Sequence, residues 1–143
     1  DTLNKLGGKY SIGRFDVIED RITGIKSRDI YEAPAATILY TALQSLEDIT
    51  LDKETISTAH PLSHKYGELV YNGKWFSPLR EALDEFFAKK LEQVSGSVKI
   101  KFCRGNMTVV GRQSKNSLYN PNLTSYGRDK VSTRLFRRGI IET

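Results

Sequence analysis

The sequence predicts an α+β domain: an antiparallel sheet with a charged N-terminal ribbon and a C-terminal hairpin, packed against three or four helices. Three patterns lead there. Between Ile12 and Glu32, β-branched residues alternate with charges, a mixture that suits strands better than a helix. Through residues 34–94 apolar side chains recur at helical spacing, with proline or hydroxyl residues at the starts. From Val98 the period drops to two around Gly105-Asn106.

Leu3-Asn4-Lys5-Leu6 followed by Gly7-Gly8 reads as the tail of a helix stopped by glycine. These glycines do not make a phosphate loop, because no Gly-Lys-Ser/Thr ending follows and no strand precedes them. The ribbon then sets Asp16, Glu19, Asp20, Asp29 and Glu32 against Arg14, Arg21, Lys26 and Arg28. Mixed charge of this density is costly to bury unless it is paired or put to use. Val17, Ile18, Ile22, Thr23 and Ile25 favour extended backbone, and Gly24 marks a bulge or turn.

Pro34 suits a first helical position, and Ile38, Leu39, Ala42, Leu43, Leu46 and Ile49 share one stripe, predicting a helix over residues 34–47. Thr50 offers the cap of a second helix, with Asp52 and Glu54 in its first turn, where negative charge suits the dipole. Pro61 is expected to kink or divide it, because proline removes a donor and clashes one turn back. Leu62, Tyr66, Leu69 and Val70 are expected on the inner face. His60 and His64 would share a face only if helix continued through Pro61; without a following glutamate or a third ligand they read as a solvent-exposed pair.

Ser77-Pro78 is a helix start, and the helix is expected to reach about Val94. Leu79, Ala82, Leu83, Phe86, Phe87 and Leu91 make its apolar stripe, Arg80, Lys89 and Lys90 face water, and Trp75-Phe76 anchor the turn ahead of it. In the following hairpin Val98, Ile100 and Phe102 share the packed side, and Gly105-Asn106 is a type II′ turn placing Phe102 opposite Val109 and Ile100 opposite Gly111. A polar loop over 113–126 is anchored by Leu118, Tyr119 and Leu123, and a short strand closes the chain at 139–142.

At 143 residues the chain is most economically one domain, residues 1–143. No apolar run approaches the roughly 20 residues of a spanning helix, and no leader is visible, which points to the cytoplasm. Met107 is the only methionine and the chain opens with Asp1, so it is read as either processed or cut from a longer protein. Cys103 is the sole cysteine, expected half-buried on a strand, which excludes an internal disulfide and a multi-cysteine metal site. The net charge of +5 is concentrated near the end, where Arg128, Lys130, Arg134, Arg137 and Arg138 face only Asp129.

The blocks Gly13-Arg14-Phe15-Asp16, Glu19-Asp20-Arg21, Gly24-Ile25-Lys26-Ser27-Arg28 and Tyr31-Glu32-Ala33-Pro34 resemble, in order and spacing, argininosuccinate synthase after its nucleotide-binding domain. Glu68 to Pro78, Gly111-Arg112-Gln113-Ser114 and Ser117-Leu118-Tyr119-Asn120 agree, so the resemblance covers nearly the whole chain. It implies an enzyme that joins citrulline to aspartate: ATP adenylylates the ureido oxygen, and the aspartate amine then displaces AMP. It implies citrulline contacts at Glu19 and Tyr31, where a carboxylate can accept from ammonium or ureido N–H and a phenol can donate or accept. No catalytic residue and no metal ligand is implied within these residues.

ATP with Mg²⁺ is implied on a separate N-terminal domain carrying Ser-Gly-Gly-x-Asp-Ser/Thr. Ser95-Gly96-Ser97 lacks the second glycine and the acid. The resemblance further implies a tetramer with a tail helix that would begin near Thr143, and an isolated domain without ligase activity. Two other readings compete: a nucleic-acid-binding module using Arg128 to Arg138 with Tyr126 and Phe136, which lacks a reader motif, and an oligomerisation domain with no site.

Overall fold

A computed structural model describes residues 1–120. The basic segment at 128–138, Leu123 and the expected strand at 139–142 lie outside the described residues. The elements are α1 (Thr2–Lys9), β1 (Arg14–Asp20), β2 (Lys26–Glu32), α2 (Pro34–Thr50), α3 (Lys53–Tyr71), α4 (Pro78–Leu91), β3 (Ser97–Cys103) and β4 (Asn106–Gln113). The α+β class holds, with the charged ribbon (β1–β2) and the later hairpin (β3–β4) forming two separate two-stranded antiparallel sheets.

Helix α2 is the hub: α1 packs on one part of it and the β3–β4 hairpin on another, while α4 packs on α3. Ile12, Ile38, Ile49, Ala59, Leu69 and Leu83 are buried. The glycines at 7 and 8 do not stop α1, which runs to Lys9. Gly7 instead lets α1 approach α2, since a Cβ there would sit 2.7 Å from Pro34 Cβ. Helix α2 continues three residues past Glu47, and Thr50 belongs to its last turn, its hydroxyl donating to the Leu46 carbonyl at 2.8 Å. The cap of α3 is therefore Asp52, which accepts from the Thr55 amide at 2.8 Å.

The expected break at Pro61 does not occur. Helix α3 is continuous, because proline withholds one donor from a 19-residue helix whose buried Ala59 and Leu69 hold it on either side. His60 and His64 thus lie one turn apart on one helix, both exposed. Leu62 and Tyr66 are half-buried as expected, but Val70 is exposed.

Ser77 caps α4 through the Arg80 amide, and the helix ends at Leu91, short of Val94. Its inward stripe is narrower than expected: Leu83, Phe86 and Phe87 face inward, while Leu79 and Leu91 are exposed. Two cations expected in water turn in. The Arg80 side chain is 12% exposed, bound to Asp84 and lying 4.8 Å from the Trp75 ring. Lys90 is 9% exposed and meets Glu47, 15% exposed, at 2.6 Å. Long aliphatic stems pack on apolar surface while each head finds a carboxylate. Phe76, expected to anchor the turn, is 87% exposed, and Trp75, half exposed, stacks with Arg80.

The β3–β4 turn is Arg104-Gly105, with φ of 43° and 83°, so both central residues are left-handed as a type I′ turn requires. Phe102 pairs with Met107 and Ile100 with Val109, with a bulge between Lys99 and Ile100. The expected partners were two residues further along β4. Between the turn and the bulge the slip is two, which keeps side chains on their own faces, and Val98, Ile100 and Phe102 alternate as the half-buried residues of β3. Cys103, beside the turn on the outer side, is exposed. Leu118 and Tyr119 are also exposed; the loop is tied instead by the Leu118 amide to the Ile49 carbonyl at 2.7 Å and by Asn116 to the Gln93 carbonyl at 3.0 Å.

Candidate functional site

The ribbon holds both residues implied by the resemblance. Its register runs unshifted from Arg14 opposite Glu32 to Asp20 opposite Lys26, so alternation sorts the side chains cleanly. Phe15, Val17 and Glu19 share one face with Ser27, Asp29 and Tyr31. Arg14, Asp16, Ile18 and Asp20 share the other with Lys26, Arg28, Ile30 and Glu32.

Tyr31 stands opposite Phe15 and Glu19 opposite Ser27, so the phenol must lie along the ribbon to reach the carboxylate. It does: Tyr31 Oη donates to Glu19 Oε1 at 2.7 Å. The Glu19 hydrogen bond raises the Tyr31 hydroxyl above its ordinary value of 10.0, with burial and the negative charge of Glu19 adding to it. The phenol, protonated at neutral pH as any tyrosine is, donates to a carboxylate that makes its proton harder still to lose. Glu19 Oε2 and the phenol lone pairs are left as further acceptors.

Beside this pair Asp29 accepts from Ser27 Oγ at 3.0 Å and from Arg21 Nη2 at 3.4 Å. On the opposite face the charges are spent on one another: Arg14 with Glu32 at 2.8 Å, Lys26 with Asp20 at 2.7 Å, Arg28 with Asp16 at 2.6 Å. The Arg28 guanidinium holds the Asp16 carboxyl below the usual range. So neither Arg14 nor Arg21 claims Glu19, and the cations of the matched blocks pair with local acids. Among the described residues no hydrogen bond joins a histidine, a lysine or a second carboxylate to Glu19 or Tyr31, so the pair is arranged to orient a ligand.

The surface around the pair is open. Three concavities of about 490 to 550 Å³ are lined by other residues. One of them, between α2, α3 and α4, is floored by the Lys90–Glu47 pair and by Asp84, which also takes the Tyr66 hydroxyl at 2.8 Å. Arg80 and Asp84 are four apart on α4, a spacing that marks such a pair in the sequence; Lys90–Glu47 bridges 43 positions and leaves no local signal. His60 lines this groove, and among the described residues no three His, Cys, Asp or Glu converge as metal ligands.

The glycines weighed in the sequence as phosphate contacts lie in other settings. Gly7 and Gly8 lie inside α1, and the Gly96 backbone is packed against the Gln113 carbonyl, an acceptor that repels phosphate oxygens.

Fold and ribbon together define a small α+β domain that displays a carboxylate–phenol pair on a two-stranded hairpin. The chain belongs to the argininosuccinate synthase family: the family model described as "Arginosuccinate synthase C-terminal domain" matches residues 1–143. It is 46% identical over 139 residues to the chloroplastic argininosuccinate synthase of Arabidopsis thaliana, covering 97% of this chain and 28% of that protein. It is 50% identical over 139 residues to argininosuccinate synthase of Microcystis aeruginosa, covering 97% of this chain and 35% of the relative. For the Desulfitobacterium hafniense enzyme the figures are 46% over 141 residues, 99% and 35%. The chain thus spans about a third of the length of these relatives.

Proposed function

We propose that this domain supplies part of the citrulline site of an argininosuccinate synthase, acting in arginine biosynthesis. The observation that carries the reading is the 2.7 Å bond from Tyr31 Oη to Glu19 Oε1 on the half-buried face of the ribbon, at the two positions where the family resemblance implies citrulline contacts. Glu19 accepts hydrogen bonds from the ammonium or ureido N–H of citrulline. Tyr31 fixes the carboxylate rotamer and can turn its hydroxyl to a substrate carboxylate or carbonyl.

The role is orientation. Activation of the ureido oxygen by ATP and Mg²⁺, and attack by the aspartate amine with release of AMP, use groups contributed by the nucleotide-binding part of the enzyme. The 143 residues by themselves therefore bind citrulline weakly and turn over nothing. The active form is a homo-oligomer, a tetramer as the family resemblance implies, working in the cytoplasm. Among the described residues no helix is long and apolar enough to cross a membrane.

The test joins these 143 residues to the remaining two thirds of the Microcystis aeruginosa relative and measures pyrophosphate release. Release that requires citrulline, aspartate and ATP together supports the reading. A folded chimera that releases none, or release by the 143 residues alone, overturns it.

A further inference from the structure

The hydrogen bonds of the ribbon have a fixed parity. At its tip the Arg21 amide donates to the Ile25 carbonyl at 2.9 Å, and at its base the Ala33 amide donates to the Gly13 carbonyl at 2.8 Å. The register between them is unshifted, and hydrogen-bonded and non-bonded pairs alternate in an antiparallel ladder. Odd-numbered residues therefore face across the ladder, and the backbone groups of Lys26, Arg28, Ile30 and Glu32 point away from β1. Among the described residues no hydrogen bond reaches them. The outward edge of β1 differs, since the Asp20 carbonyl there accepts from the Tyr71 hydroxyl of α3 at 3.2 Å.

Long regular edges are normally guarded by a bulge, a proline, or a lysine reaching over the edge. β2 has none of these. Lys26 and Arg28, the cations placed to guard it, are drawn across to Asp20 and Asp16 of β1. Ile30, between them and the strand end, and Ile18, diagonal to it on the same face, are each 70% exposed. A two-stranded ribbon in this state is marginally stable in water by itself.

We propose that the free edge of β2 receives a third strand, an extended segment of the same polypeptide from outside these 143 residues, whose apolar side chains continue the Ile18–Ile30 patch. Two observations select this occupant. The relatives run about three times the length of this chain, so ample polypeptide is available. The charges on the outer face already neutralise one another, so an uncharged β-branched or aromatic strand fits beside them without leaving a charge unpaired. The proposal concerns the edge and face away from Glu19 and Tyr31 and does not rest on citrulline binding.

Amide hydrogen exchange tests it, on the 143-residue chain and on the chimera with the Microcystis aeruginosa relative. Residues 26–32 are expected to exchange about tenfold or more slowly in the chimera, with residues 106–113 unchanged. Ile30→Pro removes only an outward amide; it is expected to leave residues 106–113 of the 143-residue chain as protected as before and to abolish the gain at 26–32 in the chimera. Equal exchange of 26–32 in the two proteins overturns the proposal. Protection of the 143-residue chain that rises with its concentration assigns the edge to a second copy, and protection already present at low concentration assigns it to residues 121–143; either result also overturns it.

Discussion

The two hairpins of this domain have nearly the same length and the same antiparallel pairing, yet they are held in different ways. β3–β4 lays Val98, Ile100 and Phe102 toward α2 and starts where Gly96 is pressed against the Gln113 carbonyl. β1–β2 is held at its base by Gly13 and Ala33, touches α3 through Tyr71, and leaves Ile18 and Ile30 in solvent. One hairpin is built into the core. The other is an arm whose organised groups are polar, paired and exposed, as expected of a surface that another part of a protein completes.

The sharpest way to break this contrast is the same substitution in both. Gly96→Ala places a Cβ 2.2 Å from the Gln113 oxygen and 2.9 Å from Leu46 Cδ2. It should cost about 3 kcal/mol or more in urea unfolding. Gly24→Ala meets nothing within 4 Å and bears only its φ of 79°, so it should cost about 1 kcal/mol. Equal costs would mean that both hairpins are packed alike. A gentler comparison removes isoleucine from each. Ile100→Ala should destabilise by about 2 kcal/mol, and Ile18→Ala by no more than about 0.5 kcal/mol in the same unfolding experiment.

The smallest effects come from titration. Asp16 and Asp52 are held below the ordinary carboxylate value of 3.8, by Arg28 and by Thr55 respectively. A depressed carboxyl contributes stability that is present above that value and lost as pH falls through the folded one. Acidification below about pH 4 should therefore loosen the ribbon's outer face and the start of α3, seen as faster amide exchange there. Tyr31 shifts the other way. Its contribution is complete below pH 10.0 and is lost only as pH rises through the raised folded value. Ultraviolet titration should show a tyrosine ionising late, and Glu19→Gln should bring it back toward the ordinary range.

Much of the fold was legible in the sequence because local chemistry decided it. Alternation in the ribbon, Pro34, the Ser77 cap and the period-two run after Ser97 each named an element that formed. The misreadings share a cause: residues judged by local habit were decided by long-range contacts. Gly7 and Gly8 stop helices in isolation, but here Gly7 makes room for Pro34. Pro61 breaks helices, but α3 is held on both sides of it. Lys90 belongs to a charged face until Glu47, 43 positions away, comes to meet it.

The ribbon pair was legible in a different way. Glu19 and Tyr31 were singled out by resemblance; in the sequence alone Glu19 is one of five ribbon acids, with Arg14 and Arg21 among the cations available to pair with it. The structure gives both arginines other partners, Glu32 and Asp29. That left the glutamate to the tyrosine, an outcome that depends on which of several nearby charges is closest and is not written in local sequence.

Steady-state kinetics of Glu19→Gln in the chimera tests the central claim most directly. The substitution keeps the side chain's size and removes its charge, and a hydrogen bond to a charged group is worth about ten- to a hundredfold in affinity. The account predicts a KM for citrulline raised by about that factor with the KM for ATP nearly unchanged. A citrulline KM equal to that of the unsubstituted chimera would contradict it.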